Sequence, residues 1–87
     1  MLKFISWEDA HKDIAANIEA VKLHKNFRVG DVNYFISDST DGFLRIEGKV
    51  WNTVEFDKVV DAEIYMDWDF KKIRFYAKSG AYKEFTI

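Results

Sequence analysis

The chain has 87 residues, 48 % of them hydrophobic and 17 % aromatic, with no Cys, no Pro and a formal net charge of −2. Without Cys neither a disulfide nor a thiolate-zinc site can staple so small a domain, so buried aliphatic and aromatic side chains must hold it together. No apolar run approaches the ~20 residues that span a bilayer, and MLKFISW lacks the length and cleavage site of a signal peptide, so a cytoplasmic, membrane-free protein is expected.

Leu2, Phe4 and Ile5 read as a short strand or a hydrophobic lead-in. Ser6 then has the setting of an N-cap, with Glu8 and Asp9 in the first turn, where the helix dipole favours acids. Trp7, Ala10, Ile14, Ile18 and Val21 recur at helical spacing. Lys22, His24 and Lys25 crowd the far end. The pattern predicts one amphipathic helix over about residues 6–25, whose apolar stripe needs a sheet to cover.

From Phe27 the period changes to two, and the remainder to residue 87 reads as antiparallel sheet. Val32, Tyr34 and Ile36 share one face, Asp38–Gly42 is rich in turn formers, and Leu44, Ile46 and Val50 share a face on the next strand. Pairing Ile36 with Leu44 places Gly48 opposite Val32. Residues 51–60 read as a bent continuation of this strand with a turn near Asp57-Lys58. A short helical turn capped by Asn52 or Thr53 is the alternative.

Residues 61–78, DAEIYMDWDFKKIRFYAK, carry the strongest signal. Ala62, Ile64, Met66 and Trp68 alternate with Asp61, Glu63, Tyr65, Asp67 and Asp69. A tip at Phe70-Lys71 sets Asp69 against Lys72, Asp67 against Arg74, Tyr65 against Tyr76 and Glu63 against Lys78, with Met66 facing Phe75 behind them. Lys78-Ser79-Gly80 suits a short loop with a left-handed Gly80, and Phe85 and Ile87 then fall on the core face. The expected fold is α+β, a single domain over 1–87. Its N-terminal helix packs on a curved four- to five-stranded antiparallel β-meander, open or closing as a barrel.

Catalytic chemistry finds little support. His11 and His24 sit about 220° apart around one helix, and no Ser lies in a Gly-rich elbow, so a nucleophilic hydrolase is not expected. Glu8-x-x-His11 has the spacing of half a di-metal carboxylate site, which needs a second copy on a facing helix, so no metal is expected. No phosphate-binding loop is present and no cofactor is implied.

Gly42, Gly48 and Val50, within two strands after an N-terminal helix, resemble one motif of the Sm-like RNA-binding barrels. The second motif of those barrels, an Arg-Gly pair in the fourth strand, is missing here, where the chain reads Ile73-Arg74-Phe75-Tyr76. The resemblance covers one strand and assigns no family.

Residues 31–69 carry −7, while residues 1–30 carry +1 and 70–87 carry +4. The acidic row Asp61, Glu63, Asp67, Asp69, with Glu55 and Asp57 nearby, either pairs with the basic arm of its own hairpin or meets a basic partner. If the helix covers Ile46, Ile64 and Phe75, then Phe35, Trp51, Tyr65 and Tyr76 lie on the opposite, open face, where charge-flanked aromatics suit an interface. The sequence thus points to a non-enzymatic protein-binding module of the inhibitor, immunity or anti-defence kind. It would act on a nucleic-acid-handling protein with a basic surface, with self-association into a homodimer as a further use of the face. The alternative is an Sm- or OB-like domain stacking single-stranded nucleic acid on Trp51, Tyr65 and Tyr76. The surrounding carboxylates disfavour it.

Overall fold

A computed structural model of the chain describes residues 3–87, so the expectation for Leu2 lies outside the described residues. Ser6 caps the first helix as expected, its hydroxyl oxygen accepting from the Asp9 N–H at 3.1 Å. That helix is shorter than its apolar stripe suggested. α1 (Trp7–Ala16) ends at Asn17, and a second short helix, α2 (Ile18–Lys22), follows. Asn17 sits at φ −118°, ψ 29°, outside the helical well, and its side-chain amide donates back to the Asp13 carbonyl at 2.9 Å. This local bond competes with helix continuation, as Asn side chains characteristically do. His24 then adopts a left-handed φ of 55° and turns the chain into the sheet.

Seven antiparallel strands follow: β1 (Phe27–Val29), β2 (Val32–Asp38), β3 (Leu44–Trp51), β4 (Phe56–Lys58), β5 (Glu63–Met66), β6 (Lys72–Tyr76) and β7 (Tyr82–Thr86). They form one open sheet in the order β1-β2-β3-β5-β6-β7, with β4 pairing β3 beyond the end of β5. The barrel alternative is therefore not realised, and the strands outnumber the expected four or five. One additional strand comes from a break at Gly30, whose φ of 62° permits a two-residue turn between Val29 and Val32. The other comes from the ambiguous stretch. The chain turns at Asn52–Glu55 and not at Asp57-Lys58, because the Asn52 side-chain oxygen accepts from the Val54 and Glu55 N–H groups at 2.7 and 2.8 Å. Phe56–Lys58 then folds back on Lys49–Trp51.

Face assignments and registers part company. Ile46, Ile64, Met66, Ile73 and Phe75 are buried on one face, with Tyr34, Leu44, Val59 and Val60. Both long hairpins are nevertheless paired two residues away from the expected register. Ile36 faces Ile46 and not Leu44; Ile64 faces Phe75 and Met66 faces Ile73. A slip of two preserves every face, so hydrophobic alternation cannot detect it. Lengthened loops decide it. Ser39–Phe43 closes through the Ser39 N–H to the Phe43 carbonyl at 2.8 Å, and residues 67–71 close around the Asp67 carboxylate, with Phe70 at φ 58°.

α1 lies across the buried face. Trp7 stacks on Phe75 at 5.9 Å between ring centroids, His11 stacks on Phe85 at 4.6 Å, and Ile14 is fully buried. Trp68, expected in the core, is 46 % exposed. The longer loop carries it outward, where its ring rests 5.4 Å from His24 and its indole N–H donates to the Gly42 carbonyl. Phe70 packs against the core instead. No helix among the described residues is long and apolar enough to cross a membrane.

Candidate functional site

With α1 on one face, strand alternation leaves Arg45, Glu47, Lys49, Glu63, Tyr65, Lys72, Arg74, Tyr76, Tyr82 and Glu84 on the other. Four rings cross this outer face as a ribbon: Phe43 to Tyr65 at 6.1 Å, Tyr65 to Tyr76 at 5.9 Å, and Tyr76 to Tyr82 at 5.2 Å. The ribbon runs obliquely over β5, β6 and β7, one ring per element, and Phe43 joins it from the β2–β3 loop. Beside it lies an open concavity of about 660 Å³ lined by Asp41, Phe43, Glu63, Tyr65, Asp67 and Tyr76, among others.

Charges in this concavity are unequal. Asp41, Glu63, Asp67 and Glu84 line it with four carboxylates, against the two cations Lys72 and Arg74. Arg74 is committed internally. Its Nε donates to Glu84 Oε1 at 2.9 Å, its Nη1 to the Tyr76 hydroxyl at 3.1 Å, and its guanidinium stands 5.2 Å from the centre of the Tyr82 ring. The Tyr76 hydroxyl and the Glu84 carboxylate hold that guanidinium even more firmly protonated than usual. Tyr65 donates its hydroxyl to Glu63 Oε2 at 3.0 Å, and that bond, aided by desolvation, raises the phenol's pKa. Phenol and carboxylate thereby stand side by side in the lining of the concavity.

The expected acidic row is not formed. β5 contains only Glu63 of the four acids, because the strand stops at Met66. Asp67 accepts instead from the Lys71 and Lys72 backbone N–H groups at 3.0 and 3.3 Å, capping the loop where it was expected to face Arg74. Arg74 and Lys72 find Glu84 across the β6–β7 ladder, at 2.9 and 4.0 Å. Asp69 is exposed in the loop and Asp61 precedes the strand, its carbonyl accepting from the Trp7 indole N–H at 3.3 Å.

Of the residues singled out from the sequence, Glu63, Tyr65, Asp67 and Tyr76 are brought together. Phe35 and Trp51 belong to a separate aromatic group, each packed edge-on against Phe56 at 5.1 and 4.8 Å. Glu55 and Asp57 flank that group, with Asp57 accepting from the Asn52 amide. Beside it Arg45 and Lys49 both pair with Glu47, at 3.5 and 3.4 Å. Asp41, Phe43, Tyr82 and Glu84 were not singled out. Tyr82 and Glu84 were legible, because strand alternation with Phe85 inside places both outside. Phe43 carried no such signal, since its position depends on the closure of the loop.

Glu8 and His11, the spaced pair with metal-site periodicity, are engaged with β7. Glu8 accepts from Lys83 Nζ at 2.8 Å, a bond that lowers the Glu8 carboxyl's pKa, and His11 Nε2 lies 3.1 Å from the Thr86 carbonyl. No protein-family model, curated protein or solved structure matches the chain.

Proposed function

We propose that this chain is a non-enzymatic protein-binding module that works in the cytoplasm and receives a basic segment of another protein on its outer sheet face. The observation that carries the reading is the ring-lined concavity with four carboxylates against two cations, of which Arg74 is engaged internally. Exposed Tyr rings among charges supply rigid contact area at small entropic cost, and a carboxylate excess selects Lys- or Arg-bearing partners. The narrower reading, an inhibitor of the immunity or anti-defence kind, rests on analogy from small size and net acidity.

Arrays of immobilised peptides graded in Lys and Arg content test the reading. Wild-type protein should be retained by basic, aromatic-containing peptides, and the Tyr65→Ser/Tyr76→Ser double variant should not, with its thermal melt little changed. Equal retention of both proteins would overturn the assignment of the site.

The ribbon of rings also favours a second reading, stacking of single-stranded nucleic acid, at about 1–3 kcal/mol per base. A strand laid on Tyr65 and Tyr76 meets Asp41, Glu63, Asp67 and Glu84, and no free cation excess supplies counterion release. Fluorescence anisotropy with labelled mixed-sequence oligonucleotides should show no binding at micromolar protein. Tight binding that weakens steeply with salt would favour the second reading over the first.

A further inference from the structure

The free edge of β7 joins the concavity, and its backbone is poised for pairing. Ile87 donates to the Lys71 carbonyl at 2.8 Å and Ala77 to the Ala81 carbonyl at 2.8 Å, which fixes the phase of the β6–β7 ladder. Residues 81, 83, 85 and 87 therefore bond inward to β6. The N–H and C=O groups of Tyr82, Glu84 and Thr86 point away from it. Only the Thr86 carbonyl has a partner among the described residues, the His11 ring. The N–H groups of Tyr82, Glu84 and Thr86 and the carbonyls of Tyr82 and Glu84 have none. The same three residues carry their side chains on the outer face, beside the aromatic ribbon.

We propose that the partner segment enters as an additional antiparallel β-strand on β7, with Lys or Arg opposite Glu84. The proposal rests on the protein-binding reading above and specifies its geometry. Strand addition supplies affinity through main-chain bonds and specificity through alternate side chains. Here the alternate side chains fall on Tyr82, Glu84 and Thr86, so the incoming residue opposite Glu84 meets the acidic side of the concavity. The inner positions are selective too. Lys83 points inward and is held by Glu8, and Phe85 lies under His11, so the incoming strand needs an acid or polar residue opposite Lys83 and an apolar one opposite Phe85. His11 takes only the Thr86 carbonyl, so the Thr86 N–H stays open and the added strand ends there.

A second copy of this chain is a poor occupant. Two-fold pairing of β7 with itself in the register that keeps the whole strand paired sets Glu84 against Glu84, and like charges directly opposite are destabilising. A different protein with a basic residue at the central position meets no such conflict.

The test uses a backbone-cyclised β-hairpin peptide whose free strand reads Thr-Val-Arg-Glu-Tyr, which aligns its Arg with Glu84. In a 15N-labelled sample, titration should shift the amides of Tyr82, Glu84 and Thr86 most. Thr86→Pro deletes an outward N–H without touching the β6 ladder and should weaken binding about tenfold. N-methylation of the peptide's Arg, or its replacement by Glu, should do at least as much. Shifts confined to Phe43, Tyr65 and Tyr76 and indifferent to Thr86→Pro would overturn strand addition and leave the protein-binding reading standing. Edge shifts that survive Tyr65→Ser/Tyr76→Ser unchanged would support strand addition and remove the aromatic concavity from the account. Absence of binding, or concentration-dependent self-association through the same amides, would overturn the proposal.

Discussion

Tyr34 stands directly across the ladder from Gly48, and a Cβ at Gly48 would lie 3.2 Å from its Cε1 and 2.5 Å from Val60 Cγ2. Both neighbours are fully buried side chains, so neither can swing away. The pair fixes the β2–β3 register, because only glycine admits the Tyr34 ring and Val60 at once. Gly48→Ala should therefore overpack the core and cost about 1–3 kcal/mol in chemical denaturation. A loss within ±0.5 kcal/mol would show that the register is held elsewhere.

Tyr34 also donates its hydroxyl to Asp13 Oδ2 at 2.5 Å, tying β2 to α1. Burial, and secondarily this bond, raises the phenol's pKa well above its ordinary 10.0. A raised native pKa means that the stabilisation is fully present below the unfolded phenol's pKa near 10 and falls as pH rises beyond it. Wild-type stability should decline above about pH 10, and Tyr34→Phe should shallow that decline. At neutral pH the variant should lose about 1.5–3 kcal/mol, the range for a hydrogen bond to a charged group. Melts collected from pH 7 to 11 check both limbs.

Phe75 and Trp68 separate the core from the rim. Phe75 is fully buried between Trp7 and Phe85, and Phe75→Ala should cost about 3–5 kcal/mol in urea melts. Trp68 is 46 % exposed, and Trp68→Ala should cost clearly less. Equal losses would restore Trp68 to the core.

Asp67 serves its loop through two backbone N–H groups. Asp67→Ala should lower stability by about 0.5–2 kcal/mol, the scale of a lost capping acceptor. Asp69→Ala, in the same loop and exposed, should stay within about 0.5 kcal/mol. If Asp67 acted only by charge, added salt would erase its effect. A salt-insensitive loss identifies the hydrogen bonds.

The amino-acid order by itself settled the class of the fold, the Ser6 cap, the left-handed Gly80 at φ 92° and the faces of the residues in β2, β3, β5, β6 and β7. These depend on local bonds and on a side-chain period of two, which neighbouring residues express directly. Only the tertiary structure decided the registers, the number of strands and hence the site. A slip of two leaves every face unchanged, so it was chosen by contacts that alternation does not express: Tyr34 with Gly48 and Val60, Phe70 with the core, and Asp67 with the backbone of its own loop. That slip moved Arg74 from Asp67 to Glu84, and turned an expected row of carboxylates into a concavity lined with rings.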